Sequence, residues 1–391
     1  MKNPFIIPAI ILFLFTGCNK INPKPGDEAL SQYLEKKMHA SEIIGMQAAY
    51  MKNGELAWNK SYGIKNIETN EAVNDKTLFM IASSSKPVTA TALMRLADLG
   101  LIDLDADINN YLPFKIRNPN FPNETISARM LLTHTSSLKD DWDTLDPLYT
   151  LEDGGDSPIE LKDFVPGYFL ENGTYYNRET NFHVKKPGSY WDYCNMGYVI
   201  IGFLIQEITE KPFETYMAED FFPLLGMNDS YWFLRDIPHD NIAKPHEISK
   251  KSETKMYPHY GYPDFPDGQL RTTVVDYAKF LEIFLNEGIA NGQQFLKQET
   301  VKDFLKVQFP AVHKHQAISW NYDEMESFIY YRFMPRLASH TGGDPGVATV
   351  ISFDPSTKTA AIVFTNSPPY STLKAKNLYL DMVKRLLRAA L

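Results

Sequence analysis

The sequence predicts an α+β fold, an α/β sandwich whose antiparallel sheet is built from both chain ends, flanked by helices, with a mainly helical lobe inserted. Three observations predict it. Strand-like segments lie near the N-terminus and return near the C-terminus, and the stretch between Gly100 and Met256 reads as helices and loops. With 44% hydrophobic residues in 391, the chain has enough apolar material for a large core. The sheet lobe is expected over about 29–82 and 257–391, and the helical lobe over about 83–256.

Each element has a local reason. Residues 28–37 place Leu30, Tyr33 and Leu34 on one side of a helix. Residues 43–51 and 56–63 read as strands around an Asn53-Gly54 turn. From Ser83 to Leu99 the period becomes helical, with Ala92, Leu93, Leu96 and Leu99 in step, and Gly100 stands where a left-handed residue ends a helix. Residues 198–207 and 213–222 read as helices, whereas the acidic stretch 139–186 reads as long surface loops. A helix over 273–285 precedes strands over 347–353 and 360–365, joined by a Pro355-Ser356 turn. The last helix aligns Leu378, Met382 and Leu386, with Lys384, Arg385 and Arg388 near its C-terminus, where cations are favoured.

The N-terminus reads as an address. Lys2, an apolar run over 4–15 and Thr16-Gly17-Cys18 have the layout of an export signal, too short to span a membrane. Gly17-Cys18 resembles the bacterial lipobox. That resemblance implies a signal peptide over 1–18, lipid on Cys18, and a tether over 19–28 containing Pro23, Pro25 and Gly26. The chain would then be an exported, membrane-anchored lipoprotein facing the periplasm or cell exterior. With Cys18 lipidated, Cys194 has no disulfide partner. A net charge of −9 and no basic run in the body of the chain exclude a nucleic-acid surface.

Three segments carry chemistry. In Ser83-Ser84-Ser85-Lys86, a spacing of three puts Ser83 and Lys86 one helical turn apart. A serine hydroxyl needs a base, and a lysine drawn out of water loses affinity for its proton and can act as one. In Tyr190-Trp191-Asp192-Tyr193-Cys194-Asn195, Tyr193 and Asn195 share a side of an extended loop. A phenol beside an ammonium can shuttle a proton, and the Asn195 amide can donate and accept. Tyr190 and Trp191 read as aromatic fill, and Cys194 as a small apolar filler facing away. In His340-Thr341-Gly342-Gly343, the glycines let a substrate lie along the strand edge, and the Gly343 N–H can face an oxyanion alongside that of Ser83.

In this order the three segments resemble the penicillin-recognising serine hydrolases, specifically the class C beta-lactamase-related group, which includes D-peptidases and esterases. Leu131 to Ser136, Pro223 to Met227 and Leu270 to Asp276 extend the similarity along nearly the whole mature chain. The resemblance implies a beta-lactamase/transpeptidase-like fold over 29–391 and a serine hydrolase working through a covalent acyl-enzyme. Ser83, Lys86 and Tyr193 would be catalytic, and Asn195, His340, Thr341, Gly342 and Gly343 substrate-binding. It also implies an ester or peptide-like amide substrate, and makes His134 architectural.

Two residues depart from the family pattern. Ser137 stands where relatives usually have glycine. His340 replaces the lysine that helps bind a beta-lactam carboxylate, which disfavours efficient antibiotic hydrolysis. No cofactor, metal or obligate protein partner is expected. His-Glu-x-x-His is missing, and the close pair His313 and His315 lacks an acidic neighbour. Gly-x-Ser-x-Gly is missing too, which excludes an α/β-hydrolase. The competing expectation is a penicillin-binding or sensing module on the same fold that is acylated without turnover.

Overall fold

Asn53 and Gly54 both take left-handed backbone, at φ 56° and 80°, as a two-residue hairpin turn requires. They join β1 (Gly45–Lys52) to β2 (Glu55–Asn66), which pairs with the short β3 (Glu71–Ala72). From the other end of the chain come β4 (Ala338–Asp344), β5 (Val347–Asp354) and β6 (Thr359–Thr365). The spatial order is β4-β5-β6-β1-β2-β3, every neighbouring pair antiparallel. Both chain ends therefore share one six-stranded sheet, as the sequence predicts. This computed structural model describes residues 25–248, 253–322, 337–369 and 372–391. Cys18, the expected signal peptide and most of the tether lie outside them.

The helices that shape the molecule are α1 (Pro25–Ala40), α2 (Lys86–Asp98), α3 (Leu161–Phe169), α4 (Asn195–Thr209), α5 (Val274–Leu285) and α6 (Leu373–Ala390). On one face of the sheet, Leu30, Leu34 and Met38 of α1 and Tyr379, Met382, Val383 and Leu386 of α6 cover Met46, Ala48, Ala361 and Val363. On the other, Ala49, Met51, Ile362 and Phe364 join the large core that also holds α2, α4 and α5. With both faces covered, the central strands read as continuous apolar runs instead of alternating.

Several boundaries differ from expectation, each for a local reason. α1 starts at Pro25, so the last residues of the expected tether are helical. A 3₁₀ turn, Ala82–Ser85, precedes α2. Gly100, at φ 76°, does end α2: its N–H donates to Ala97 and that of Leu101 to Leu96, closing the last turn. Leu99 is 61% exposed and lies off the buried stripe. The helical run after Phe213 contains a π turn, Met217–Phe221.

The largest correction concerns 139–186, which is not all surface loop. α3 lies there and buries Leu161, Phe164, Val165, Tyr168 and Phe169, which recur at helical spacing. Pro166 and Gly167 disguise the period, but the burial of five large side chains, each worth ~1.5–3 kcal/mol, outweighs their local cost.

Candidate active site

The 3₁₀ turn carrying Ser83 is strained and heavily braced. Ala82 sits at φ 50°, a left-handed conformation that costs a residue with a Cβ about 1–2 kcal/mol. Such strain persists only where surroundings over-determine it. Here Thr349 Oγ1 donates to the Ile81 carbonyl at 2.9 Å and meets Ser84 Oγ at 2.8 Å. Tyr277 donates to the Ser84 carbonyl at 2.9 Å, and the Leu270 N–H donates to Ser85 Oγ at 3.2 Å. In a 3₁₀ turn residues i and i+3 eclipse, so Lys86 lies directly over Ser83. Lys86 Nζ donates to Ser83 Oγ at 3.0 Å.

Lys86 is fully buried, and Asp267 takes two more of its hydrogen bonds. Nζ donates to the Asp267 carbonyl at 3.0 Å and to its carboxylate at 3.1 Å. Burial alone would lower the lysine's proton affinity. The Asp267 charge and the nearby Tyr193 more than reverse that and hold it above the ordinary lysine range. The direction is therefore opposite to the expected one: Asp267, a partner of which the sequence gives no sign, favours the ammonium form of the lysine. Asp267 lies in Pro266-Asp267-Gly268, which reads only as a turn.

The second segment is held by two residues from elsewhere. His134, at φ 58°, accepts a hydrogen bond at Nδ1 from the Cys194 N–H (3.1 Å) and stacks on the Tyr193 ring with centroids 4.4 Å apart. Burial, with the Lys86 charge nearby, keeps its imidazole neutral. Asp140 accepts from the N–H groups of Asn195 and Met196, both at 2.9 Å, and so caps α4 from a distant loop. The Cys194 thiol donates to the same carboxylate, is buried, and is pushed well above the usual thiol range by burial. That environment fits the filler reading of Cys194.

Tyr193 keeps 38% of its surface exposed, while its ring lies 5.1 Å from Lys86 Nζ. Burial around the hydroxyl raises its proton affinity, and interactions with Lys86 and Ser83 pull it partly back. Asn195 is buried at the start of α4, and its Oδ1 has no hydrogen-bond partner among the described residues. Trp191 stacks on His313 at 4.5 Å, but Tyr190 is 45% exposed, so the aromatic fill is Trp191 alone.

β4 is the sheet edge beside the Ser83 turn. His340 is buried, and its Nδ1–H donates to the Thr341 carbonyl at 2.7 Å. Burial and the Lys86 charge push its pKa down to about 3, so no cation stands at this position near neutrality. Thr341 is half-buried and, by strand alternation, on the opposite face. Gly342 corrects an expectation: it makes room for protein. A Cβ there would lie 2.3 Å from the Ile81 carbonyl oxygen and from Thr349 Oγ1. Its lack of a side chain lets the edge strand reach the Ser83 turn. Gly343 is exposed, and a Cβ there would meet no described atom within 4 Å.

The ladder fixes where the Gly343 N–H points. Ser339 exchanges both backbone hydrogen bonds with Asn321 at 3.0 Å on the outer edge of β4, and the register with β5 runs without a shift to Asp344. Alternation by two then turns the Gly343 N–H to the same outer edge. Next to it, Asp344 accepts from the Tyr262 hydroxyl at 3.0 Å, and burial together with Asp267 pushes its carboxyl up to about 7. Ser137 is at φ 69°, in the left-handed region that favours glycine. Its Oγ accepts from Asn118 Nδ2 at 2.7 Å and donates to the Lys185 carbonyl.

Comparison with known proteins agrees with this architecture. Protein flp of Staphylococcus aureus (strain N315) is 24% identical over 259 residues, 66% of this chain and 49% of that protein. The chain thus spans about half the length of this curated relative. A class C beta-lactamase superposes with a TM-score of 0.68 at 19% identity, covering 93% of this chain and 95% of the other. The octameric penicillin-binding protein homologue of Pyrococcus abyssi gives 0.66 at 22% identity, covering 90% and 77%. These likenesses show the beta-lactamase/transpeptidase-like fold. The family model described as Beta-lactamase matches residues 30–383, and the chain belongs to that family.

Proposed function

We propose that this chain is a serine hydrolase that forms an acyl-enzyme on Ser83 from an ester or peptide-like amide. The observation that carries the reading is Lys86 Nζ at 3.0 Å from Ser83 Oγ, with the Tyr193 ring against the same ammonium. As Ser83 Oγ bonds to the substrate carbonyl carbon and the carbonyl π pair moves onto oxygen, its proton passes to Tyr193 in its phenolate form, the form the Lys86 ammonium favours. The N–H of Ser83, at a helix start, and that of Gly343, on the open edge, stabilise the tetrahedral oxygen. Tyr193 then protonates the leaving group, and water releases the acid. Asn195 Oδ1 is available to accept from a substrate amide.

The neutral His340 supports a substrate that needs no cation for a carboxylate, which disfavours beta-lactams. D-peptides and simple esters remain the proposed classes, on family resemblance. Lipidation of Cys18 and anchoring of the exported protein belong to the same proposal, tested by fatty-acid labelling of the wild type beside Cys18→Ala. The hydrolase reading is tested by intact mass after exposure to a fluorophosphonate. One adduct on the wild type and none on Ser83→Ala is expected, followed by turnover in an ester and D-peptide panel. An adduct with no turnover of any acyl donor would favour the binding module, and no adduct on folded protein would overturn the acylation chemistry.

A further inference from the structure

The carboxylate next to Lys86 is an unusual neighbour for a lysine expected to give up its proton. Asp267 is 4% exposed, and its ion-pair partner is the fully buried Lys86. Its second oxygen, Oδ1, has no hydrogen-bond partner among the described residues. Were Lys86 neutral, Asp267 would be a buried anion without its compensating charge, a costly arrangement. Lys86 Nζ meanwhile donates to Ser83 Oγ and to two oxygens of Asp267, with the Tyr193 hydroxyl also interacting, a surrounding of acceptors that suits an ammonium.

The same segment braces the Ser83 turn. Ile81 donates to the Leu270 carbonyl at 2.9 Å, and Thr89 to that of Pro266 at 2.6 Å. Asp267 is thus fixed to the element whose charge it sets.

Resting on the hydrolase reading, we propose that Asp267 is a positioning residue that keeps Lys86 an ammonium beside Ser83. The lysine then acts as a fixed charge, and the phenolate form of Tyr193, populated as pH rises, receives the serine proton. Other groups facing this pair are Tyr198 from α4, His134 and Asp140 from the preceding loops, His340 and Asp344 on β4, and Asp264, Tyr149 and Tyr262, the two phenols held protonated by burial. The two histidines are neutral. Burial raises the proton affinity of Asp344, Asp264 and Asp267 alike, with Lys86 pulling that of Asp267 back, and Asp267 is the acid in direct contact with the lysine.

The direction of the test follows from charge. Asp267 raises the proton affinity of both Lys86 and Tyr193. Removing its charge shifts the onset of labelling to lower pH, whichever group accepts the proton. The experiment is the rate of fluorophosphonate labelling of Ser83 between pH 5 and 10.5, for wild type, Asp267→Asn and Asp267→Glu, with Ser83→Ala as control. The wild-type rate should still be rising above pH 8. In Asp267→Asn the rising limb should move at least one pH unit toward acid, a tenfold gain on the limb relative to its own plateau. Asp267→Glu should keep the limb near its wild-type place.

A merely structural role would lower the rate at every pH without moving the limb, and that result overturns the proposal. Should Asp267→Asn fail to fold, the wild-type profile decides, since a plateau already reached by pH 7 is incompatible with a lysine held charged and a phenol held protonated. Absence of wild-type labelling would overturn the hydrolase reading and this proposal together. Labelling with an unshifted limb overturns this proposal alone.

Discussion

Two adjacent glycines should respond in opposite ways to one added methyl group. At Gly342, the new Cβ would lie 2.3 Å from the Ile81 carbonyl oxygen and 3.1 Å from the Ser84 nitrogen, both backbone atoms of the turn holding Ser83. Real Cβ contacts stay beyond 3.0 Å, so strand and turn must separate by about 0.7 Å. Overpacking of this kind costs ~1–3 kcal/mol. The displacement also falls on the Ser83–Gly343 geometry, and misplacement of ~1 Å can cost about 100-fold in rate. At Gly343 the Cβ meets no described atom within 4 Å, so Gly343→Ala should change stability by less than ~0.5 kcal/mol. The assay is urea unfolding beside the fluorophosphonate labelling rate for both variants. Gly342→Ala should lose stability and label roughly 100-fold more slowly even where folded. If it matches the wild type in both, the close approach of β4 to the turn is not what sets the site.

Other expectations follow from single residues. Ser137→Ala keeps the left-handed strain and loses the contact with Asn118, whereas Ser137→Gly also relieves about 1–2 kcal/mol of strain. Urea unfolding should therefore rank glycine above alanine by about 1 kcal/mol. His340 is buried neutral with its pKa lowered to about 3, while in the unfolded chain it protonates near the ordinary 6.5. Its contribution to stability is thus complete above pH 6.5 and lost as pH falls toward 3, at up to ~1.4 kcal/mol per pH unit. Unfolding of His340→Gln at pH 4 to 7 should show a shallower acid loss than the wild type, and parallel curves would refute the neutral assignment. With His340 uncharged and Asp344 beside Gly343 ionised above pH 7, esters bearing an ammonium should at pH about 8.5 exceed matched carboxylate-bearing ones about tenfold in kcat/KM. The gap should shrink in high salt.

The parts of the fold that depend on local chemistry were legible. Asn53-Gly54 announced its hairpin and Gly100 the end of α2, because each needs a backbone conformation that glycine or asparagine tolerates. The two-ended sheet followed from where strand-like runs fell. What stayed hidden was set by tertiary packing. α3 has a regular apolar period, but Pro166 and Gly167 argue locally against a helix, and only burial of Phe164 and Tyr168 in the main core decides for one. Leu99 fits its helical period and is nonetheless exposed, since nothing in the sequence says how far the covering layer reaches.

In the candidate site, the groups that touch within one turn or one strand were readable, and the groups that set their charge were not. Ser83 and Lys86 are three residues apart, and a 3₁₀ turn converts that spacing into a 3.0 Å contact. Asp267 is 181 residues from Lys86 and Asp140 is 55 from Asn195, both in polar loops where an aspartate normally signals a turn. Yet Asp267 decides whether the lysine carries a proton, and Asp140 satisfies the N-terminus of α4 that presents Asn195. Nucleophile-bearing motifs recur because the bond-making atoms must sit in a fixed local frame. The electrostatic setting can come from any loop that reaches the frame. Two chains with the same Ser-x-x-Lys and Tyr-x-Asn residues can therefore differ in the protonation of the lysine and in the pH at which serine is activated. The difference lies in residues that no local motif includes.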